Sequence, residues 1–358
     1  PLRYTPRAFV IHPVLKLVVT IESDHNSYSY EESERMRMQQ YSHHLVKVKK
    51  ENDDDAMAIE DEEEEEEEEN TAQMSEQERM RYRLNKKMPM SQYGAPKPGS
   101  GRWASCIRLL DVATQQTLDL VELQNNEAAV SICTCTFRDH GSEVFVCVGT
   151  AKNMLLKPKR DTRGGGAIRV YRITTGANGT RLELVSERQL EDVPNALAPF
   201  HGRLMAGVGT ALRLYDLGTK KFQLLRKCEN RNFPNNIVTL TSMGERIIVG
   251  DVQESIFFVK YSRLDNSLYI FCDDMIPRWI TSHVLVDYNT VAYGDKFGTI
   301  SLSRVPMQVT QMEDDPTAAK FQLDESYLNG AAHKVESVTN FYVGEPITRV
   351  LKTTLTPG

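Results

Sequence analysis

The sequence has 358 residues, with 43 Lys and Arg against 49 Asp and Glu and a formal net charge of −6 at pH 7. It contains no apolar run near the roughly 18–20 residues that a membrane-spanning helix needs, which excludes that class of protein. Six cysteines are too few for a disulfide scaffold and favour a reducing compartment. Because the sequence opens on Pro1 rather than Met, we interpret it as a segment of a longer chain.

The first strands are predicted within residues 1–23, where Phe9–Ile11 and Leu17–Ile21 are short apolar stretches. Two further stretches, Trp103–Leu109 and Leu118–Val121, have the length and alternation of strands. We expect these four strands to form one antiparallel sheet that is interrupted by a long insert.

The insert and its linker occupy residues 24–101 and carry an acidic low-complexity run at 51–69. That run has 14 acidic residues and no base, which leaves 35 acidic against 43 basic residues in the rest of the chain. Adjacent carboxylates repel one another, so we expect disorder there. A solvated spacer and a decoy for a basic partner are both open interpretations. Weak helical spacing flanks the run, in Met38, Tyr41 and Leu45 and in Met80 and Leu84.

Internal repetition is the strongest signal, because four segments share an apolar run, a glycine and a small or acidic residue. These segments are Val146–Thr150, Ala206–Thr210, Ile247–Asp251 and Val291–Asp295. Their glycines, Gly149, Gly209, Gly250 and Gly294, are 60, 41 and 44 residues apart. The later spacings fit the roughly 40–45 residues of a four-stranded propeller blade. We expect each glycine to allow a tight turn between strands.

The sequence therefore predicts an all-β fold, a WD40-like β-propeller of four-stranded antiparallel blades that is incomplete in this segment. Blades are predicted over residues 102–305, followed at 306–358 by a loop and the start of a further blade in Val335–Phe341 and Ile347–Thr353. An open ring exposes strand edges. We expect other propellers of the same parent chain, or a partner, to close it.

Catalytic chemistry finds little support in the sequence. Cys133 and Cys135 have no second pair at zinc-ligand spacing, so we interpret them as core residues. The run Gly164–Gly166 lacks the Lys-Ser/Thr of a phosphate-binding loop, and we expect a flexible loop there. No Ser/His/Asp or paired-carboxylate pattern is evident. We expect a non-enzyme with no catalytic residue, cofactor or metal.

Two basic stretches raise the alternative of a direct nucleic-acid contact. Lys152, Lys157, Lys159, Arg160 and Arg163 cluster in one loop, and Lys220 to Lys227 form a second group. Such residues could contact phosphates. Aromatic residues do not alternate with them as a base-stacking platform requires, and solvated loops are the simpler interpretation. Any RNA contact is accordingly expected to be indirect.

Partner-binding residues are predicted where each innermost strand begins, because these positions ring one flat face of a propeller. Trp and Arg often dominate interface energy, although a core position for Trp279 is the alternative. The candidates are Ala128, Asn195, Asn236, Ile237, Arg278, Trp279, Lys296 and Phe297.

Ordered motifs along the whole chain resemble one known family. They are Arg3–Arg7, Tyr93–Lys97, Leu214–Gly218, Leu225–Asn230, Asp251–Ser255, Pro277–Ile280, Asp295–Gly298 and Asp314–Thr317. These residues are similar to the C-terminal propeller of the large three-propeller subunits of splicing factor 3b. The damaged-DNA-binding adaptor of cullin ubiquitin ligases and the large subunit of the cleavage and polyadenylation factor share that architecture. The acidic run 51–69 departs from the family pattern.

The resemblance implies a nuclear protein-interaction scaffold within the U2 small nuclear ribonucleoprotein that supports branch-site recognition in pre-mRNA splicing. It implies as partners the HEAT-repeat subunit and the small helical subunit of splicing factor 3b. It implies no membrane contact. A ubiquitin-ligase adaptor is the alternative function.

Overall fold

A computed structural model provides the fold and describes residues 2–51, 76–87, 94, 96, 101–123, 126–157, 159–176, 179–313 and 331–353. The predicted all-β fold is confirmed, because the strands form antiparallel four-stranded sheets, one of which gains a fifth strand. These sheets are the five blades of an incomplete propeller. The acidic run beyond Glu51 lies outside the described residues. No helix in the described part has both the length and the apolar character to cross a membrane.

The strands of the first two blades follow the chain from the innermost strand outward. Blade 1 contains β1 Pro6–Ile11, β2 Val18–His25, β3 Trp103–Asp111 and β4 Gln116–Glu122. Blade 2 contains β5 Glu127–Thr136, β6 Val144–Lys152, β7 Gly166–Gly176 and β8 Gly179–Leu190. β2 pairs with β3 across the whole insert, from Val18 opposite Leu110 to His25 opposite Trp103. The four separated stretches therefore form one sheet, as the sequence predicts.

The other three blades repeat the same order. Blade 3 contains β9 Pro194–Phe200, β10 Arg203–Val208, β11 Ala211–Leu217 and β12 Leu224–Asn230. Blade 4 contains β13 Ile237–Met243, β14 Arg246–Asp251, β15 Ile256–Ser262 and β16 Ser267–Asp273, and it gains a parallel strand β20 His333–Lys334. Blade 5 contains β17 Ile280–Leu285, β18 Thr290–Asp295, β19 Thr299–Arg304 and β21 Glu336–Tyr342.

In the described part of the chain, helices lie in the connections between strands. They are α1 Tyr30–Glu51 and α2 Glu76–Lys87 in the insert of blade 1, a 3-10 turn Arg138–His140, and α3 Met307–Glu313 after β19. Apolar residues of neighbouring blades form the core between them. In one example, Val19 and Ile107 of blade 1 are fully buried in the cluster that holds Val146 and Val148 of blade 2. This burial of apolar surface between sheets is the main stabilising contribution.

The repeated glycines have a different role from the predicted one. Gly149, Gly250 and Gly294 lie inside the second strand of their blade. An added Cβ would collide with Ser131 and Pro194 at Gly149, with Thr239 at Gly250 and with Ile347 at Gly294. The equivalent glycine of blade 3 is Gly207, whose Cβ would meet Ile237, whereas Gly209 lies in the following turn at φ +55°. Close approach of the first strand of the same blade or of the next blade, rather than a tight turn, is therefore what requires glycine at these strand positions. The matched pairs are Gly149 with Pro194, Gly207 with Ile237, Gly250 with Ile280 and Gly294 with Ile347.

The last pair places the segment at residues 347–353 where the innermost strand of a sixth blade would lie. The Ile347 N–H donates to the Asp295 carbonyl at 3.1 Å, as the Ile237 N–H donates to the Gly209 carbonyl at 2.9 Å. The expectation that Val335–Phe341 also starts this blade is wrong. β21 pairs with β19 from Thr299 opposite Tyr342, so it is the outermost strand of blade 5.

Substituting Gly207 by Ala is expected to destabilise the protein by ~2 kcal/mol or more, because the new methyl group overpacks the contact with Ile237. Urea unfolding measures the change. Gly176→Ala is the matched control, since its added Cβ meets nothing within 4 Å. Equal stability of the two variants would contradict this account of the repeated glycines.

Candidate protein interface on the upper face

One face of the arc collects most of the long connections. Neighbouring strands are antiparallel, so the start of each innermost strand and the connection from second to third strand lie at the same edge of a blade. We call this edge the upper face and the opposite edge the lower face. The upper face carries the insert of blade 1, the loop at 153–165 and the turns at 252–255 and 296–298.

Trp279, Lys296 and Phe297 form a cluster on the upper face of blade 5. The Lys296 Nζ lies 3.2 Å from the centroid of the Trp279 ring and 5.0 Å from that of Phe297. The two aromatic rings meet edge to face, with centroids 6.4 Å apart. A cation above an aromatic face is attracted by the ring quadrupole. Lys296 therefore holds Trp279 in place, while Phe297 remains 60% exposed.

Local sequence explains this arrangement. Asp295 Oδ1 accepts hydrogen bonds from the N–H groups of Phe297 and Thr299, both at 2.9 Å, which fixes the turn between β18 and β19. The Lys296 N–H donates to the Trp279 carbonyl at 3.0 Å. Gly298 adopts φ +93° against the backbone of Glu345, a position that a side chain would block. Each residue of the motif Asp295–Gly298 thus has a separate role, either in fixing this turn or in forming the cluster with Trp279.

The loop before Trp279 is fixed by a network around Asp274. Asp274 Oδ2 accepts hydrogen bonds from the Ser255 hydroxyl and the Tyr293 phenol, both at 2.7 Å. Burial, together with the charge of Asp274, raises the pKa of Tyr293 to about 12, so its phenol remains a donor. The Arg278 guanidinium donates to Asn340 Oδ1 at 3.0 Å and lies 3.7 Å from Asp274. Arg278 therefore positions the loop.

This loop also exposes two apolar residues that sequence reasoning missed. Met275 is 70% exposed and Ile276 is 46% exposed. The available signal was an apolar pair directly before Pro277, in the short stretch that links the end of β16 to the start of β17. Together with the cluster, they provide an anchored loop with apolar side chains facing solvent.

The other predicted site residues are placed differently. Ala128 and Ile237 are completely buried, because their side chains pack between blades, so they are core residues and not contact residues. Asn195 is half-buried and accepts a hydrogen bond from Arg160 at 2.6 Å. Asn236 is half-buried, and its carbonyl accepts from the Val252 N–H at 3.0 Å. Both lie at the starts of other blades.

The insert is fastened to the upper face of blade 1 around Tyr30. The Arg3 guanidinium carbon lies 4.7 Å from the Tyr30 ring centroid, and that of Arg81 from α2 lies 5.9 Å from it. Glu122 accepts hydrogen bonds from the Tyr30 N–H at 3.3 Å, from Arg3 at 2.9 Å and from the Tyr4 phenol. Tyr30, at the start of α1, and Arg81 of α2 therefore have defined positions beside the propeller face.

The described residues contain no group of three or more His, Cys, Asp or Glu side chains that could hold a metal ion. Cys133 and Cys135 lie in the core between blades 2 and 3, as the sequence predicts. Hydrogen bonds with these two thiols, together with burial, raise the pKa of Cys147 well above its usual value. These cysteines are therefore packed core side chains.

Comparison with known proteins decides the family. Residues 104–358 match the family described as the CPSF A subunit region. The chain belongs to this family. Over its full length it is 45% identical to splicing factor 3B subunit 3 of Danio rerio and 43% identical to spliceosome-associated protein 130 A of Arabidopsis thaliana. It is also 42% identical over 269 residues, 75% of the chain, to pre-mRNA-splicing factor RSE1 of Mycosarcoma maydis.

The match confirms the resemblance that the sequence motifs indicate. The chain covers 27% of the Danio rerio protein, 28% of the Arabidopsis thaliana protein and 22% of the Mycosarcoma maydis protein. It therefore spans about a quarter of the length of these three relatives.

Proposed function

We propose that the chain is a non-enzymatic protein-docking propeller within a nuclear splicing subunit, and that it supports branch-site recognition in the splicing factor 3b complex of the U2 small nuclear ribonucleoprotein. The observation that carries this proposal is the anchored cluster of Trp279, Lys296 and Phe297 on the upper face. Similarity to splicing factor 3B subunit 3 supplies the splicing context.

The cluster has the properties of an interface anchor. Binding energy in protein interfaces is concentrated in a few well-held residues, among which Trp and Arg are enriched. Lys296 holds the Trp279 ring before any partner arrives, which lowers the entropy lost on binding. Phe297, Met275 and Ile276 add exposed apolar surface beside a positive charge. This combination suits an amphipathic helix that carries an acidic residue.

The HEAT-repeat subunit and the small helical subunit of splicing factor 3b are the partners we propose for this face. Both are helical, so each can present an apolar stripe flanked by charged residues. An acidic side chain on that stripe would pair with Lys296, whose ammonium group already lies over the Trp279 ring. The proposal thus rests on the chemistry of the cluster as well as on the resemblance.

We further propose that other propellers of the same parent chain complete the ring. Beside the segment at residues 347–353, β21 is exposed on both faces, and Phe341 and Tyr342 are 66% and 69% exposed. At the other end of the arc, β1 exposes Phe9 and Ile11. Exposed strand edges and apolar faces of this kind are normally covered. Strands added beside 347–353 would cover both ends.

Affinity purification of the full-length protein from nuclear extract tests the function. The expected result is recovery of splicing factor 3b subunits, including the HEAT-repeat and small helical ones, in stoichiometric amounts. Recovery of cullins and substrate receptors instead would overturn the splicing proposal and favour the ubiquitin-ligase adaptor. A measured turnover abolished by one side-chain change in this segment would overturn the non-enzymatic part.

A further inference from the structure

The loop between β6 and β7, which we call the finger, is held in place by hydrogen bonds to the neighbouring blades. This contradicts the expectation of a flexible loop. The Trp103 indole N–H donates to the Met154 carbonyl at 2.7 Å, and Met154 is buried. The N–H groups of Leu155 and Asp161 each donate to the carbonyl of the other, at 3.1 and 2.8 Å. These bonds bring Leu155 and Asp161 together at the base of the loop and tie that base to blade 1.

The glycines after the tip are packed rather than free. A Cβ on Gly164 would collide with the Lys152 carbonyl, and one on Gly165 with the Leu190 carbonyl. Gly165 also adopts φ +67°, which disfavours any side chain. At the far side, Arg160 donates to Asn195 Oδ1 at 2.6 Å and so links the tip to blade 3. The finger therefore spans the upper face of blade 2 with contacts at both sides.

This fixed finger concentrates positive charge. Lys157 and Lys159 are exposed at its tip, beside Arg160, and Arg163 follows with its side chain 92% exposed. The opposing charge within the finger is Asp161, whose pKa hydrogen bonds from Arg163 lower to about 2. Like charges held close together repel one another, and an anionic ligand relieves that repulsion.

Nearby acidic groups have partners of their own, and Asp192 also acts on Arg160 of the tip. Glu187 lies 3.6 Å from Lys152 at the base of the finger. Glu191 pairs with Arg213 of blade 3. Asp192 acts on Arg160 electrostatically, and its Oδ1 accepts a hydrogen bond from the Val193 N–H at 2.7 Å. Lys157 and Lys159 are both exposed to solvent.

We propose that the tip residues Lys157, Lys159 and Arg160, with Arg163, form a contact site for the phosphodiester backbone of RNA. Residues 152–166 contain no aromatic side chain for base stacking, so recognition rests on phosphate charge and not on sequence. The choice of RNA over an acidic protein rests on the proposed splicing function. The site is separate from the Trp279 cluster, which lies on blade 5.

The test uses the full-length protein and a fluorescent single-stranded RNA of about 20 nucleotides, in two unrelated sequences. The variant Lys157→Glu/Lys159→Glu is expected to bind both RNAs at least tenfold more weakly than the unchanged protein. For this variant, the slope of log Kd plotted against the logarithm of the salt concentration should be smaller by about one to two. Lys220→Glu/Lys221→Glu is the matched control, because it makes the same charge change in a turn on the lower face and should bind as before.

Three results would overturn the proposal. Equal loss of binding in both double variants would show an effect of net charge alone. A salt slope unchanged by Lys157→Glu/Lys159→Glu would show that these lysines contact no phosphate. Polyglutamate that competes as well as RNA at equal charge would identify an acidic protein as the ligand. Purification of protein partners with the Lys157→Glu/Lys159→Glu variant separates this failure from failure of the docking function, which the variant should leave intact.

Discussion

Substituting Arg246 by Ala is expected to lower the free energy of unfolding by about 4 kcal/mol, because it truncates a large, completely buried charged side chain. Arg246 is completely buried at the lower face, where β14 begins. Its guanidinium donates to the Tyr288 carbonyl at 2.8 Å and to Asn289 Oδ1 at 2.5 Å, both in blade 5. It also lies 4.0 Å from the Tyr288 ring centroid and 5.3 Å from that of Phe271.

The size of the effect follows from what alanine leaves behind. Truncation removes most of a large buried side chain and opens a cavity between blades 4 and 5. It also removes the hydrogen bonds that the charged guanidinium donates to the Tyr288 carbonyl and to Asn289 Oδ1, and a hydrogen bond to a charged group contributes about 1.5–3 kcal/mol. The loss therefore includes both a packing contribution and a hydrogen-bonding contribution.

Two further variants separate these contributions in urea unfolding. Arg246→Met retains the volume of the stem but not the donors, so we expect a loss of about 2 kcal/mol. Arg203→Ala removes the corresponding first residue of β10, which is partly exposed and donates to the Tyr261 phenol at 2.8 Å. Its expected loss is about 1–2 kcal/mol. A loss below 1 kcal/mol for Arg246→Ala would contradict the conclusion that Arg246 holds blades 4 and 5 together.

The blades could be predicted from sequence because the signals that define them are local. Strands of about five residues and turns rich in Gly, Asn and Asp follow one another within each repeat, so neighbouring strands pair in chain order. The outermost strand of blade 5 lacks this continuity, since α3 and residues 314–330 separate β19 from β21. A strand that returns after such a separation carries no sequence signal for its partner, and the prediction for Val335–Phe341 failed for that reason.

The roles of individual residues depended on contacts between blades, which the repeat pattern does not encode. The repeat pattern singles out Gly209 in blade 3, whereas Gly207 is the glycine that lies against Ile237 of the next blade. The sequence pattern predicts Ile237 as one of the residues that ring the propeller face, but its side chain is completely buried. In contrast, Trp279 and the motif Asp295–Gly298 break the apolar alternation of the repeats. The structure brings Trp279, Lys296 and Phe297 together. Residues that depart from the repeat pattern, before β17 and in the turn after β18, were therefore the useful signal.

Substituting Trp279 by Ala is expected to weaken partner capture by ~2 kcal/mol or more, which is about a 30-fold increase in Kd. The change removes the aromatic face beneath Lys296 and the edge contact with Phe297, so the charge and the exposed ring both lose their fixed positions. Titration of the full-length protein with the partner recovered by purification measures the Kd. Thermal unfolding of the same variant shows whether the fold is retained.

Phe297→Ala separates an interface anchor from a core residue, because the Phe297 side chain is 60% exposed and contributes little packing. We expect it to weaken partner binding while leaving the unfolding midpoint unchanged. Leu264→Ala is the matched control, since Leu264 is 95% exposed on the lower face and should alter neither quantity. If Trp279→Ala lowers stability and Phe297→Ala leaves the Kd unchanged, the cluster is part of the core. In that case the docking surface must lie elsewhere on the propeller.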